Sequence, residues 1–166
     1  MVEKVGMPVG GFRRWLHWGL GLQLILLGAE FLLGMAVNLW VAVPVHHPGA
    51  AAPDYFAGLL RGIPWAFWHL GGLFAAHVLL GLAVWLMAAG LLVGAWRTEE
   101  AAVRWATLAG WVGITGAGFN GGSFLNYNHA FSSFLMALGF WLAAGCYVWS
   151  WGLTAAIGRP EVSRRG

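Results

Sequence analysis

Five ionisable side chains lie within or beside long apolar stretches of this sequence, and each is a candidate for chemistry. They are one acid and four histidines: Glu30, His17, His69, His77 and His129. A titratable group inside a membrane is costly, so it marks a functional site by default. His69 and His77 are eight residues apart, so a helix would place them on one face, about 12 Å apart. All except His17 are expected in the outer half of the membrane, given the spans and the orientation that are derived below.

The composition indicates a membrane protein. Of the 166 residues, 60% are hydrophobic and only 9% are charged, whereas soluble domains carry about 25% charged residues. The abundance of Trp, Phe and Leu excludes a disordered chain. Cys146 is the single cysteine, which excludes an internal disulfide or a cysteine-built metal centre. The basic residues form no continuous stripe, so nucleic-acid binding is not expected.

The apolar stretches predict an all-α fold: one domain, residues 1–166, built as an integral membrane bundle of four transmembrane helices. A span needs about 20 apolar residues. The four expected spans cover residues 15–39, 65–96, 103–119 and 128–157. Four prolines make residues 41–64 an irregular outer loop rather than a further span. In that loop, His46 and His47 with Asp54 suggest either a divalent-metal site or simply solvated histidines.

The distribution of positive charge predicts the orientation. Eight of the nine basic residues would lie on one face: Lys4, Arg13, Arg14, Arg97, Arg104, Arg159, Arg164 and Arg165. Arg61 alone would lie on the other. The positive-inside rule then places both termini in the cytoplasm, in the inner membrane of a bacterial-type cell.

The link between the third and fourth spans, residues 116–128, is rich in Gly and Asn and also holds aromatic residues. It allows two interpretations. The link is either a turn at the lipid headgroups or a segment that dips back into the membrane with its backbone buried in protein. Asn120 and Asn126 are its candidate functional residues.

Two interpretations of the histidines remain open. In the first, His69 and His129 lie at similar outer depth and ligate a haem iron from both sides, as histidines on neighbouring helices can. His17 lies near the opposite surface and cannot share that haem. In the second, the polar groups are structural: Glu30 pairs with His77 or His69, or accepts hydrogen bonds from the Asn side chains of residues 120–128.

The stretch Arg14-Trp15-Leu16-His17-Trp18 resembles the Arg-x-x-His-Trp opening of bacterial cytochrome b561-type proteins. That resemblance implies a four-helix membrane cytochrome that binds two b haems and takes electrons from quinol. It implies ligand roles for His17, for His69 on the second helix and for His129 early on the fourth. The family's late fourth-helix histidine is absent here, because Trp141 stands at the corresponding place.

A second stretch, from Asn120 to Asn128 and on through Phe131 to Ala137, is similar to small uncharacterised bacterial membrane proteins with four helices. That similarity implies no known activity.

The leading hypothesis is therefore a b-type cytochrome-like subunit. It would hold haem b, or another tetrapyrrole, near the outer face and relay electrons. Its expected partners are the lipid bilayer, other membrane subunits and a quinone. The rival is a non-catalytic accessory subunit of a larger respiratory or photosynthetic complex. A third option is a proton or small-solute pathway lined by Glu30. An electron-transfer or accessory role is favoured over a stand-alone enzyme.

Overall fold

The structure is a computed structural model that describes residues 9–157, and its regular elements in that range are all α-helices. The predicted all-α class is confirmed. The helices are α1 (Val9–Trp40), α2 (Tyr55–His69), α3 (Gly71–Ala95), α4 (Ala101–Tyr127) and α5 (Ala130–Ile157). Four basic residues used for the predicted orientation lie outside the described residues: Lys4, Arg159, Arg164 and Arg165.

Three of the described helices are long and apolar enough to cross a membrane: Gly11–Trp40 within α1, Gly71–Ala95 and Ala130–Ala155 within α5. They account for the membrane character that the composition predicts. Helix α4 has 27 residues and so is about 40 Å long. It is less apolar, because glycine, threonine and asparagine interrupt its hydrophobic residues.

Helix α2 corrects two predicted boundaries. The loop predicted over residues 41–64 is irregular only as far as Asp54, whose carboxylate accepts a hydrogen bond from the backbone N–H of Ala57 at 2.7 Å and starts the helix. Helix α2 then continues through Pro64. The span predicted over residues 65–96 is not one helix, because Gly71 has φ +84° and the chain changes direction there. That conformation is readily adopted by glycine.

Helix α4 corrects a third boundary. It does not end near Phe119 but runs to Tyr127, so residues 116–127 are neither a turn nor a re-entrant loop. The side chain of Asn120 donates to the carbonyl of Gly116, one turn back in the same helix. The helix ends where Asn128 adopts φ 50° and ψ 38°, a left-handed conformation that asparagine tolerates well.

The four long helices each contact two of the others. Helix α1 packs against α3 and α5, and α4 packs against the same two helices, while α2 lies on α3 and α4. Leu16, Leu20 and Leu27 of α1 are buried in the main core with Tyr147 of α5. Buried positions of α1 recur every three or four residues, as expected for a helix with one face toward its neighbours.

The loop before α2 is fastened to the last turn of α4. The N–H of Ala51 donates to the carbonyl of Asn126 at 2.7 Å. A ring nitrogen of His47, Nε2, lies 2.9 Å from the carbonyl of Leu125, and the hydroxyl of Tyr127 donates to the carbonyl of Ala52 at 3.2 Å. The last carbonyls of a helix lack hydrogen-bond partners within that helix. Here the loop supplies partners for two of these carbonyls.

Candidate functional site

The central polar feature of the helices is a contact between an acid and an imidazole. Glu30 is on α1 and His77 is on α3, and Oε1 of the carboxylate lies 2.8 Å from Nδ1 of the ring. The Glu30 side chain is 16% exposed and the His77 side chain 27% exposed. The atoms are close but off the axis of a good hydrogen bond, and the other carboxylate oxygen is buried with no partner among the described residues. The contact therefore leaves one carboxylate oxygen able to accept a further hydrogen bond.

Glycines on the facing helix make room for both side chains. A methyl group at Gly81 of α3 would lie 2.9 Å from Oε1 of Glu30, and one at Gly34 of α1 would lie 3.1 Å from the His77 ring. Gly34 follows Glu30 by four residues, and Gly81 follows His77 by four. Because α1 and α3 run antiparallel, each polar side chain meets the other helix's glycine. The pair thus sits in a niche that both helices build.

This geometry resolves one open prediction. Of the partners considered for Glu30, His77 is confirmed. Asn120 bonds within its own helix, and the fully described α4 does not contact α1. Asn126 is 2% exposed and donates to the carbonyl of Tyr55 at 2.9 Å. Both asparagines therefore have structural contacts away from Glu30.

A second polar group lies one heptad before Glu30 on the same face of α1. Gln23 is fully buried, and its amide nitrogen donates to the carbonyl of Val84 on α3 at 3.1 Å. Its amide oxygen has no partner in the described part of the chain, and neither do the buried hydroxyls of Tyr147 and Ser150 on α5. Sequence reasoning missed Gln23, although its seven-residue spacing from Glu30 is a readable signal of a shared helix face.

His17 is occupied by direct contacts with α5. Its Nδ1 lies 3.0 Å from the hydroxyl of Thr154. Its ring stacks on Trp151, with centroids 5.3 Å apart and planes at 12°. The residue facing His17 is thus Thr154, and Trp141 packs instead against Phe31 and Phe140. A ring in such close contact with α5 leaves no space for a planar cofactor between the two.

His69 ends α2 and is exposed. Its Nδ1 lies 2.8 Å from the carbonyl of Trp65, and a carbonyl can only accept, so Nδ1 carries the proton. In the neutral imidazole, the other nitrogen, Nε2, then carries the lone pair. Trp65 stacks with both His69, at 5.0 Å, and His47, at 4.8 Å, and each imidazole is nearly parallel to the indole.

His129 lies just after the left-handed Asn128 and is exposed, with its ring stacked on Tyr127 at 6.1 Å. The helices nearest the two predicted haem ligands, α2 and α5, do not contact each other over their described lengths. Within residues 9–157, no three His, Cys, Asp or Glu side chains converge as a metal site built from them requires. In particular, His46, His47 and Asp54 do not form one.

Polar contacts also join α3 to α4. The indole nitrogen of Trp85 donates to the hydroxyl of Thr115 at 3.0 Å. With the contacts of His17, Gln23 and Glu30, this gives polar links across three helix pairs. Each uses side chains or carbonyls at the interface of two helices, where hydrogen bonds contribute to association in a membrane.

The sequence matches no protein-family model, and neither a curated protein nor a solved structure matches the chain.

Proposed function

We propose that the protein is an accessory subunit of a larger respiratory or photosynthetic membrane complex. The observation that carries this proposal is how its intramembrane polar groups are used. His17, Gln23, Glu30 and Trp85 each contact a neighbouring helix of the same chain. Groups committed to helix packing favour a structural role over a catalytic one.

In this proposal α1, α3, α4 and α5 are four transmembrane helices, and both termini are cytoplasmic in a bacterial-type inner membrane. Three of the four have the apolar length for a span. Helix α4 contacts both α3 and α5, so many of its less apolar residues would be covered by protein. Basic residues near the start of α1, just after α3 and in the first turn of α4 support the orientation.

Photo-crosslinking in native membranes tests the accessory role. A benzophenone amino acid would replace Trp141, which is 65% exposed, or Tyr147, which is fully buried on the same helix. We expect adducts with another subunit from position 141, and none beyond this chain from position 147. Mild-detergent purification should give a complex of larger mass. A lone monomer without intermolecular adducts would contradict the proposal.

A second candidate function is the b-type cytochrome-like subunit. The specific observation in its favour is the Nδ1 contact of His69 with a backbone carbonyl at 2.8 Å. Metal-ligating histidines are commonly oriented in this way, with the other nitrogen left for the metal. When bound, haem b would supply one-electron transfer.

The fit of the residues is partial. His69 suits ligation through Nε2, and His129 is exposed and lacks an equivalent anchor among the described contacts. Helices α2 and α5 do not contact each other over their described lengths. A haem ligated by both rings would therefore have to bridge the gap between the end of α2 and the start of α5. The chain thus fits ligation by His69 better than a sandwich between His69 and His129.

An optical spectrum tests this candidate. Protein purified after haem supplementation would show a Soret band that His69→Ala abolishes. His46→Ala is the matched control, because His46 is likewise exposed and lies in the loop that precedes α2. His129→Ala separates ligation by two histidines from ligation by one. Absence of a Soret band in the unmodified protein would eliminate the haem function and leave the accessory role intact.

A further inference from the structure

A groove of about 590 Å³ runs between α1 and α3, near the start of α1 and the end of α3. Among the described residues that line it, Arg14 is the ionisable one. The remaining lining is apolar or glycine, including Trp18, Leu22, Met87 and Gly90. The groove therefore has a cation at one place and an apolar surface elsewhere.

The groove owes its shape to two glycines. At Gly19 the helices are in close contact, since a methyl group there would lie 2.7 Å from a side-chain carbon of Leu91. At Gly90 a methyl group would meet no described atom within 4 Å. The close approach at Gly19 forms a floor, and the missing side chain at Gly90 keeps the space beside it open.

The order of residues along α1 gives the groove a polar end and an apolar end. Arg14 and Trp15 lie within two turns of the helix start, and Trp18, which is 68% exposed, follows one turn later. Tryptophans at this level are typical of the membrane interface. Leu22 lies eight residues beyond Arg14, which is about 12 Å along the axis. An occupant would thus meet the guanidinium at the headgroup level and apolar surface below it.

We propose that this groove binds an anionic phospholipid, with the phosphate at Arg14 and one acyl chain along Gly90 toward Leu22 and Met87. A guanidinium binds phosphate oxygens with two parallel hydrogen bonds. The described lining residues include no carboxylate that would compete for Arg14. A free phosphate ion shares the headgroup chemistry but cannot use the apolar part of the groove. A partner helix would fill the apolar part but leave the guanidinium without an anion.

The test measures phospholipid binding to the delipidated full-length protein in detergent by native mass spectrometry. Phosphatidylglycerol is the probe, and phosphatidylcholine and inorganic phosphate are the comparisons. We expect phosphatidylglycerol to bind best and phosphate not to displace it. Arg14→Gln should weaken binding about tenfold, the size of one lost charge-assisted hydrogen bond, and Arg14→Lys should restore part of it.

Gly90→Leu should block the acyl chain, since the Cβ of the new side chain would meet no described atom within 4 Å and the side chain would grow into the groove. The matched control is Gly152→Leu on α5, an exposed glycine where an added methyl group would likewise meet no described atom within 4 Å. Circular dichroism and gel filtration establish that each variant folds. Gly90→Leu should lower phosphatidylglycerol binding, and Gly152→Leu should leave it unchanged.

Three results would overturn the proposal. Equal binding of phosphatidylcholine would show that the charge has no part in it. Displacement of phosphatidylglycerol by inorganic phosphate would indicate an anion site without a lipid chain. A photo-crosslinker at Met87 that captures protein instead of lipid in native membranes would show that a partner helix occupies the groove. None of these results depends on whether the chain is an accessory subunit or a cytochrome.

Discussion

The contacts α1–α3 and α4–α5 both depend on glycine, but they use it differently. Between α4 and α5, a methyl group at Gly139 would lie 2.6 Å from the carbonyl oxygen of Gly113, and one at Gly113 would lie 2.7 Å from that of Gly139. Backbone meets backbone there. Between α1 and α3, Gly34 and Gly81 instead accommodate the side chains of His77 and Glu30. A glycine that faces backbone can therefore be enlarged only if a helix moves, whereas one that faces a flexible side chain can be enlarged at lower cost.

The largest effect is expected for Gly139→Ala. The added methyl group would lie only 2.6 Å from the main-chain oxygen of Gly113. Relieving this overlap requires a shift of the backbone of α4 or α5. We expect a loss of about 2–3 kcal/mol in the free energy of unfolding, measured by thermal or SDS-induced unfolding in detergent. A variant as stable as the unmodified protein would contradict the close approach of the α4 and α5 backbones at Gly113 and Gly139.

The next largest effect is expected for Glu30→Ala. It leaves His77 without its partner in a partly buried niche and opens a gap beside Gly81. We expect the free energy of unfolding to fall by about 1–2 kcal/mol, in the same assay. This is less than the loss on removing one partner of a fully buried ion pair, because both side chains retain some exposure.

A double-mutant cycle with His77→Ala isolates the interaction. Once Glu30 is gone, removing His77 should cost clearly less than it does in the unmodified protein. Strictly additive losses would show that the two side chains do not interact.

A smaller effect is expected for Gly81→Ala. Its methyl group would approach Oε1 of Glu30 at 2.9 Å, but the carboxylate is the end of a flexible side chain and can turn aside. We expect a loss below about 1 kcal/mol, with the same unfolding assay. A loss as large as that of Gly139→Ala would mean that the Glu30 niche is as rigid as the backbone contact.

No loss is expected for Gly145→Ala. Gly145 is exposed on α5, where a methyl group would meet no described atom within 4 Å, and alanine favours helix more than glycine does. The free energy of unfolding should be unchanged or slightly higher. A marked loss in membranes, but not in detergent, would place a partner subunit against this face of α5.

The sequence predicted the all-α class and the long apolar helices because hydrophobic length is a local property. It also predicted the Glu30–His77 contact as one of several alternatives. It did not predict α2, because proline spacing suggested a loop, and one capping carboxylate at Asp54 together with packing on α3 and α4 decided otherwise. It ended α4 too early, because glycine and asparagine are poor helix formers in isolation and only tertiary contacts compensate.

The candidate site was harder to predict than the fold. The partner of His17 is Thr154, and the partner of Gln23 is a carbonyl of α3. Threonine hydroxyls occur at several places in the sequence and every residue has a main-chain oxygen. Residue type therefore does not indicate which of them will be the hydrogen-bond partner of His17 or Gln23. Depth along a helix could be counted from the sequence, but the angle between helices, which decides whether two histidines face one another, could not.

The loop that completes the end of α4 also offers a handle on topology. Val45 and His46 are exposed, and the bonds to α4 begin only at His47. A short epitope inserted between Val45 and His46 should therefore report the side of the membrane on which it lies without loosening the helix. The same insertion between Ala51 and Ala52 would separate the two residues that bond Asn126 and Tyr127, and α4 should fray from that end.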